Sequence, residues 1–209
     1  MQLVRVAGAT RRRSRPRTMV LLDASTGLRC SELMALRWAD VDWKAHRLCV
    51  ERAIVGGVVD DVKTEYSREP VPIHQDVASL LSRWRGLSAF TKETDWIFAS
   101  PFQAGAKPYR PGGVQQRRIA PSAKGAGLGA GIGWHTLRHS FQSWLGMSGT
   151  PLEVQKELMR HASIKTTMDV CGTALEQQKR AAHASVVELL RPITWDTVVS
   201  SDTHPICGA

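Results

Sequence analysis

Apolar residues recur at helical spacing along most of this chain, and the stretch from Val41 to Ile73 is where strand patterns take over. Val41-Asp42-Trp43 and Leu48-Cys49-Val50 flank a turn over Lys44-Ala45-His46, the pattern of a β-hairpin. A third segment, Glu69-Pro70-Val71-Pro72-Ile73, carries two prolines. Proline has no N–H to give a ladder, so this segment is confined to a sheet edge. The predicted class is therefore mainly α with a small antiparallel three-stranded sheet.

The helical segments have readable ends. Met19–Ala24 reads as a short apolar helix that breaks at Ser25-Thr26-Gly27, with Gly27 suited to a left-handed C-cap. Ser31–Leu36 resumes as helix. Asp76 is a plausible N-cap for a helix that carries Val77, Leu80, Leu81 and Trp84 on one face. Trp96-Ile97-Phe98 reads as a short buried segment and Val114–Lys124 as a basic helix. Ala123–Gly133 is rich in Gly and Ala but lacks a terminating Gly-Lys-Ser/Thr, so it reads as a connector and not a phosphate loop. Helices are predicted over His135–Met147, Leu152–Met159, Ile164–Val170 and, amphipathically, Ala174–Leu190. The domain reading is a basic linker remnant over 1–17, one domain over 18–191 and a tail over 192–209.

Composition narrows the partners. The 209 residues include 28 Lys+Arg against 19 Asp+Glu, a net charge of +9, which makes a polyanion a candidate partner. Arg11, Arg12, Arg13, Arg15 and Arg17 surround Pro16 and read as a solvated arm able to touch phosphates. No apolar run approaches the ~18 residues of a membrane span. No secretory h-region opens the chain, so a reducing cytoplasm is expected. Cys30, Cys49, Cys171 and Cys207 form no CxxC pair and no ligand spacing with histidine, so neither a disulfide framework nor a metal site is expected. No cofactor is implied.

The chemistry concentrates in three separated stretches. His135-Thr136-Leu137-Arg138-His139 places His135, Arg138 and His139 at i, i+3 and i+4 of a helix, hence on one face. A zinc protease spaces two histidines this way but needs Glu after the first, and here Thr136 stands there. Arg138 would repel a cation, so an anion fits this face better. Thr26-Gly27-Leu28-Arg29-Cys30-Ser31-Glu32-Leu33 puts an arginine in a tight turn at a helix start. Leu158-Met159-Arg160-His161-Ala162-Ser163, running on through Thr166-Thr167 to Cys171, puts a histidine at a helix junction.

Together these stretches, in this order and with a hairpin between the first two, resemble the tyrosine recombinase family of phage integrases and related site-specific recombinases, over roughly residues 18 to 190. The resemblance implies that fold and double-stranded DNA as partner, with copies of the chain assembling on it. It implies that Arg29 and Arg138 grip the scissile phosphate, that Glu32 buttresses Arg29, and that His135 and His161 hydrogen-bond the phosphate and assist proton transfer. Lys63, after the hairpin in Lys63-Thr64-Glu65, matches the lysine that protonates the departing 5′ oxygen. His139 is a supporting residue beside the motif. The physics stands apart from the name: attack on a phosphodiester concentrates charge on the equatorial oxygens, and each fixed donor aimed there is worth about 2.7–4 kcal/mol in comparable oxyanion sites. The alkoxide leaving group needs a proton, which a lysine or histidine can supply.

The family's nucleophile is a tyrosine, and at that position this chain has Cys171. Tyr66 and Tyr109, its two tyrosines, do not fit the motif. A cysteine sulfur lies several bonds nearer its backbone than a tyrosine hydroxyl, and a misplacement of ~1 Å costs ~100-fold in rate. The expectation is a chain that binds DNA and cleaves it poorly, a site-specific recombinase domain by resemblance. The alternative is a catalytically inactive DNA-binding relic or regulator of mobile-element recombination. A type IB topoisomerase and a helix-turn-helix regulator are further readings, the latter at odds with so catalytic a residue set. The family's N-terminal clamp domain has no counterpart in these residues, so weak and strongly salt-dependent DNA binding is expected.

Overall fold

The structure is a computed structural model that describes residues 11–61, 68–129 and 131–161, with side chains from Arg15 onward. These all belong to one compact unit. Lys63, Cys171, the predicted helices over Ile164–Val170 and Ala174–Leu190, and the side chains of Arg11, Arg12 and Arg13 lie outside the described residues.

Helix α1 spans Arg11–Thr26 and includes Pro16. It begins well before the predicted Met19, so helical backbone runs through the stretch that reads as a solvated arm. The reason is Arg15. Its guanidinium lies over the rings of Tyr109 (4.7 Å) and Trp84 (5.7 Å) and donates to the Tyr109 hydroxyl. An arginine stem on aromatic faces gains cation–π attraction and packing that a solvated arm lacks. Further along, Met19 and Leu22 are fully buried.

Gly27 ends α1 with φ +58°, as its sequence predicts, and donates its N–H to Asp23 O at 2.8 Å. A Cβ there would also collide with the Phe141 ring, so glycine is required twice. Helix α2 (Cys30–Met34) follows directly.

The sheet has the predicted hairpin and edge strand. Strands β1 (Val41–Asp42), β2 (Arg47–Leu48) and β5 (Val71–Pro72) run antiparallel in the order β1-β2-β5, with Val41 opposite Leu48 and Leu48 opposite Val71. A separate hairpin of β3 (Arg52–Val55) and β4 (Val58–Asp61) turns on Gly56-Gly57, both at positive φ. Sequence reading missed it, although Gly-Gly between valines is a hairpin signal.

Helix α3 (Gln75–Leu87) is capped by His74, whose Nδ1 accepts from the Asp76 N–H at 3.3 Å, so the cap lies two residues before the predicted Asp76. Leu81 and Trp84 face inward, and Trp84 Nε1 donates to Ile97 O at 2.8 Å in the buried Trp96–Phe98 segment. The predicted basic helix is α4 (Pro111–Val114), a π turn over Gln115–Ile119, and α5 (Ala120–Gly125). Gly127, Gly129 and Gly131 then take positive φ in the connector. Helices α6 (Trp134–Met147) and α7 (Leu152–Met159) close the described residues. Helix α1 packs against both α6 and α3, so the core lies between these helices and β2. No described helix is long and apolar enough to cross a membrane.

Candidate active site

The turn between α1 and α2 presents Arg29. Leu28 is buried and pins the turn, and Arg29 caps α2 in extended geometry (φ −69°, ψ 141°). Glu32, at the third helical position, reaches back to take the Arg29 backbone N–H at 2.9 Å and Arg29 Nη1 at 3.0 Å. A carboxylate in the first turn also suits the helix dipole. Glu32 is 2% exposed, whereas the Arg29 side chain is 42% exposed. The acid is thus fixed inside, and the arginine it steadies stays open to a ligand.

Helix α6 brings Arg138 beneath this turn. Trp134 and Leu137 place one side of α6 in the core, and Arg138, next around the helix, is buried with them. Arg138 Nη1 donates to Gly27 O, and Nη2 donates to Met159 O at 2.7 Å and to His161 Nε2 at 2.9 Å. One guanidinium therefore ties the start of the Arg29 turn to the end of α7. An arginine has donors only, so His161 Nε2 is the acceptor and the ring proton sits on Nδ1. The shared face expected for His135, Arg138 and His139 is split: Arg138 points inward, and His135 and His139 are exposed.

Burial and charge tune these groups in opposite directions. Burial, then Arg138, Arg29 and His139, push the His161 pKa down to about 4, so its ring is neutral at pH 7. Burial first and Arg29 next push Arg138 down to about 10, which leaves it a cation. Asp23, on α1, is fully buried, and neither carboxylate oxygen has a hydrogen-bond partner. Its pKa is pushed up to about 8, chiefly by burial, with Arg138 pulling it down and Glu32 adding to the rise. Cys30, beside Arg29, is pushed up to about 12 by burial and by Asp23. That thiol is no nucleophile at neutral pH.

The structure thus gathers Arg29, Glu32, Arg138 and His161 in one place, with His135 exposed at the first turn of the same helix as Arg138. Arg15 is engaged with Tyr109 and Trp84, and Arg17 is exposed. Sequence reading missed two residues. Asp23 recurs with Met19 and Thr26 at helical spacing, which marks it as inward-facing. Arg160 stands next to His161, and its guanidinium meets Glu32. Its partner is 128 residues away, and no local pattern signals such a pairing.

Comparison with known proteins identifies the family. The phage integrase family profile matches residues 2–170. The ICEBs1 integrase of Bacillus subtilis (strain 168) is 31% identical over 173 residues, covering 79% of this chain and 46% of the relative. The tyrosine recombinase XerC of Xanthomonas campestris pv. campestris (strain B100) is 32% identical over 157 residues, covering 73% and 42%. The chain thus spans less than half the length of these curated relatives. Among solved structures, the Tn1549 transposon integrase in complex with circular intermediate DNA superposes with a TM-score of 0.75 at 20% identity, covering 88% of this chain and 64% of that one. XerA recombinase superposes with a TM-score of 0.64 at 21% identity, covering 88% and 60%. The fold is that of these integrases and recombinases, and by the extent of the profile match the chain belongs to the phage integrase family of tyrosine recombinases.

Proposed function

We propose that this chain is the catalytic domain of a site-specific DNA recombinase, holding a DNA phosphodiester in the pocket built around Arg29, and that Cys171 in the nucleophile's position leaves strand cleavage weak. The observation that carries this reading is the Arg138 guanidinium, which joins Gly27 O, Met159 O and His161 and so draws the three motif stretches to one point. In this reading Arg29 donates to the non-bridging oxygens from its exposed position. Arg138 adds positive charge from beneath, and His161 and His135 complete the donors. In the family reaction a nucleophile oxygen bonds to phosphorus, the bond to the 5′ oxygen breaks, and that oxygen takes a proton, here from Lys63. The product is a covalent 3′-phosphoryl intermediate, which the freed 5′ hydroxyl reverses. The partner is double-stranded DNA, in keeping with the fold shared with the DNA-bound Tn1549 integrase, and copies of the chain assemble on it.

A nicked suicide substrate tests the chemistry. Under reducing conditions no covalent adduct is expected for the natural chain, and Cys171→Tyr is expected to gain one. An adduct at Cys171 would show a working thiol. No gain from Cys171→Tyr would sink the assignment of that position. The second reading, a DNA-binding relic or regulator, shares the pocket and rests on Cys171 itself. It is favoured if the natural chain binds duplex DNA yet forms no adduct and slows an intact homologue.

A further inference from the structure

Arg160 occupies a backbone conformation that ordinarily belongs to glycine. It follows α7 with φ +51° and ψ 49°, donates its N–H to Glu157 O at 2.9 Å, and sends the next N–H, that of His161, to Lys156 O at 3.0 Å. Left-handed backbone is costly for a residue with a Cβ and free for glycine. The residue is also 3% exposed, so a long cationic side chain has been taken out of water. Its guanidinium is not wasted there: Nη2 donates to Glu32 Oε2 in an ion pair whose side chains are 2% and 3% exposed.

Glu32 is thus shared. Oε2 takes the Arg160 guanidinium and the Arg29 backbone N–H, while Oε1 is left to Arg29 Nη1. The half-exposed Arg29 side chain would otherwise sample many rotamers, and a carboxylate clamped from behind restricts them. Two arginines around one carboxylate also leave the cluster net positive, which suits an anion at the open side.

We propose that Arg160 is a positioning residue for Arg29, acting through the carboxylate of Glu32 that the two arginines share. This rests on the phosphate-site reading above. A static brace of this kind predicts coupling: Arg160 matters for DNA only while Arg29 is present to be aimed.

The test is a double-mutant cycle between Arg29→Ala and Arg160→Gly. Glycine suits the left-handed backbone, so the second variant is expected to fold, as circular dichroism would verify. Binding of a short fluorescein-labelled duplex is read by anisotropy across a salt series. Arg29→Ala is expected to weaken binding ~10-fold and to reduce the salt slope by about one. Arg160→Gly is expected to reproduce most of that loss, including the slope change, and to add nothing in the Arg29→Ala background. Arg160→Lys, which keeps the charge without the planar fork, is expected to rescue part of it, and it replaces the glycine variant in the cycle should that one unfold. If Arg29→Ala weakens binding while Arg160→Gly is silent or strictly additive with it, the positioning role is overturned and the phosphate site stands. If Arg29→Ala itself changes nothing, both fall.

Discussion

The pocket around Arg29 and the hairpin of β3 and β4 carry the two halves of the proposed chemistry, and they are built on opposite plans. Around Arg29, four elements converge, and Glu32, Arg138, Arg160 and His161 are each less than a tenth exposed. The hairpin has a rooted strand and an open one. β3 is tied at its base by Arg52 to Asp40 (2.7 Å) and by Ile54 against Ala35, Trp96 and Ala99. Every residue of β4 is exposed, with Val58 at 67%. The groups that would grip the phosphate are therefore set by the fold before any ligand arrives, which is how electrostatic preorganisation works. Lys63, the proposed proton donor, follows the ribbon's exposed strand in sequence.

This contrast can be broken from its rigid side first. Gly27→Ala is expected to cost about 2–4 kcal/mol, because alanine is strained at positive φ and its Cβ meets the Phe141 ring. Urea unfolding measures it, and a loss below about 1 kcal/mol would mean the turn relaxes and the pocket is less fixed than described. A smaller effect comes from Asp23. Its carboxyl is neutral in the fold up to about pH 8 but ionises near 3.8 when unfolded. The folded state therefore binds more protons across that window, and stability falls as pH rises. His161, depressed to about 4 from 6.5, has the reverse sign, and its contribution is lost as pH falls from 6.5 through 4. The two oppose each other between pH 4 and 6.5. Between pH 6.5 and 8 Asp23 dominates, and a decline of about 1 kcal/mol is expected. Asp23→Asn should flatten it, as thermal or urea denaturation at both pH values would show; an unchanged slope would assign the titration to another group. The smallest effect belongs to the hairpin. Val58→Ser is expected to change stability by no more than about 0.5 kcal/mol, since the side chain is already in water. A larger loss would mean that the ribbon is packed more firmly than its exposure indicates.

The sequence was most legible where function depends on local backbone. Gly27, the Arg29 turn, the edge strand with its two prolines and the bounds of α7 all follow from rules that act over a few residues. What escaped is long-range or atypical. Arg15 reads as part of a charged run, and only the folded chain brings Tyr109 and Trp84 to its guanidinium. The Glu32–Arg160 pair spans 128 positions. The split of His135 and His139 from Arg138 was missed because i, i+3 and i+4 spacing defines a broad stripe, and Trp134 and Leu137 decide which edge of that stripe the core takes. His74 displaced Asp76 as cap for a simpler reason: a histidine ring nitrogen can accept as a carboxylate does, and caps are ordinarily sought among the shorter polar side chains.

Cys30 sits beside the half-exposed Arg29, yet burial and a neighbouring acid hold its thiol in the protonated form far above neutrality. Such a sulfur resists alkylating reagents and peroxide alike, because both act on the thiolate. The thiol that flanks Arg29 is therefore expected to stay reduced and unlabelled under conditions that modify an ordinary cysteine.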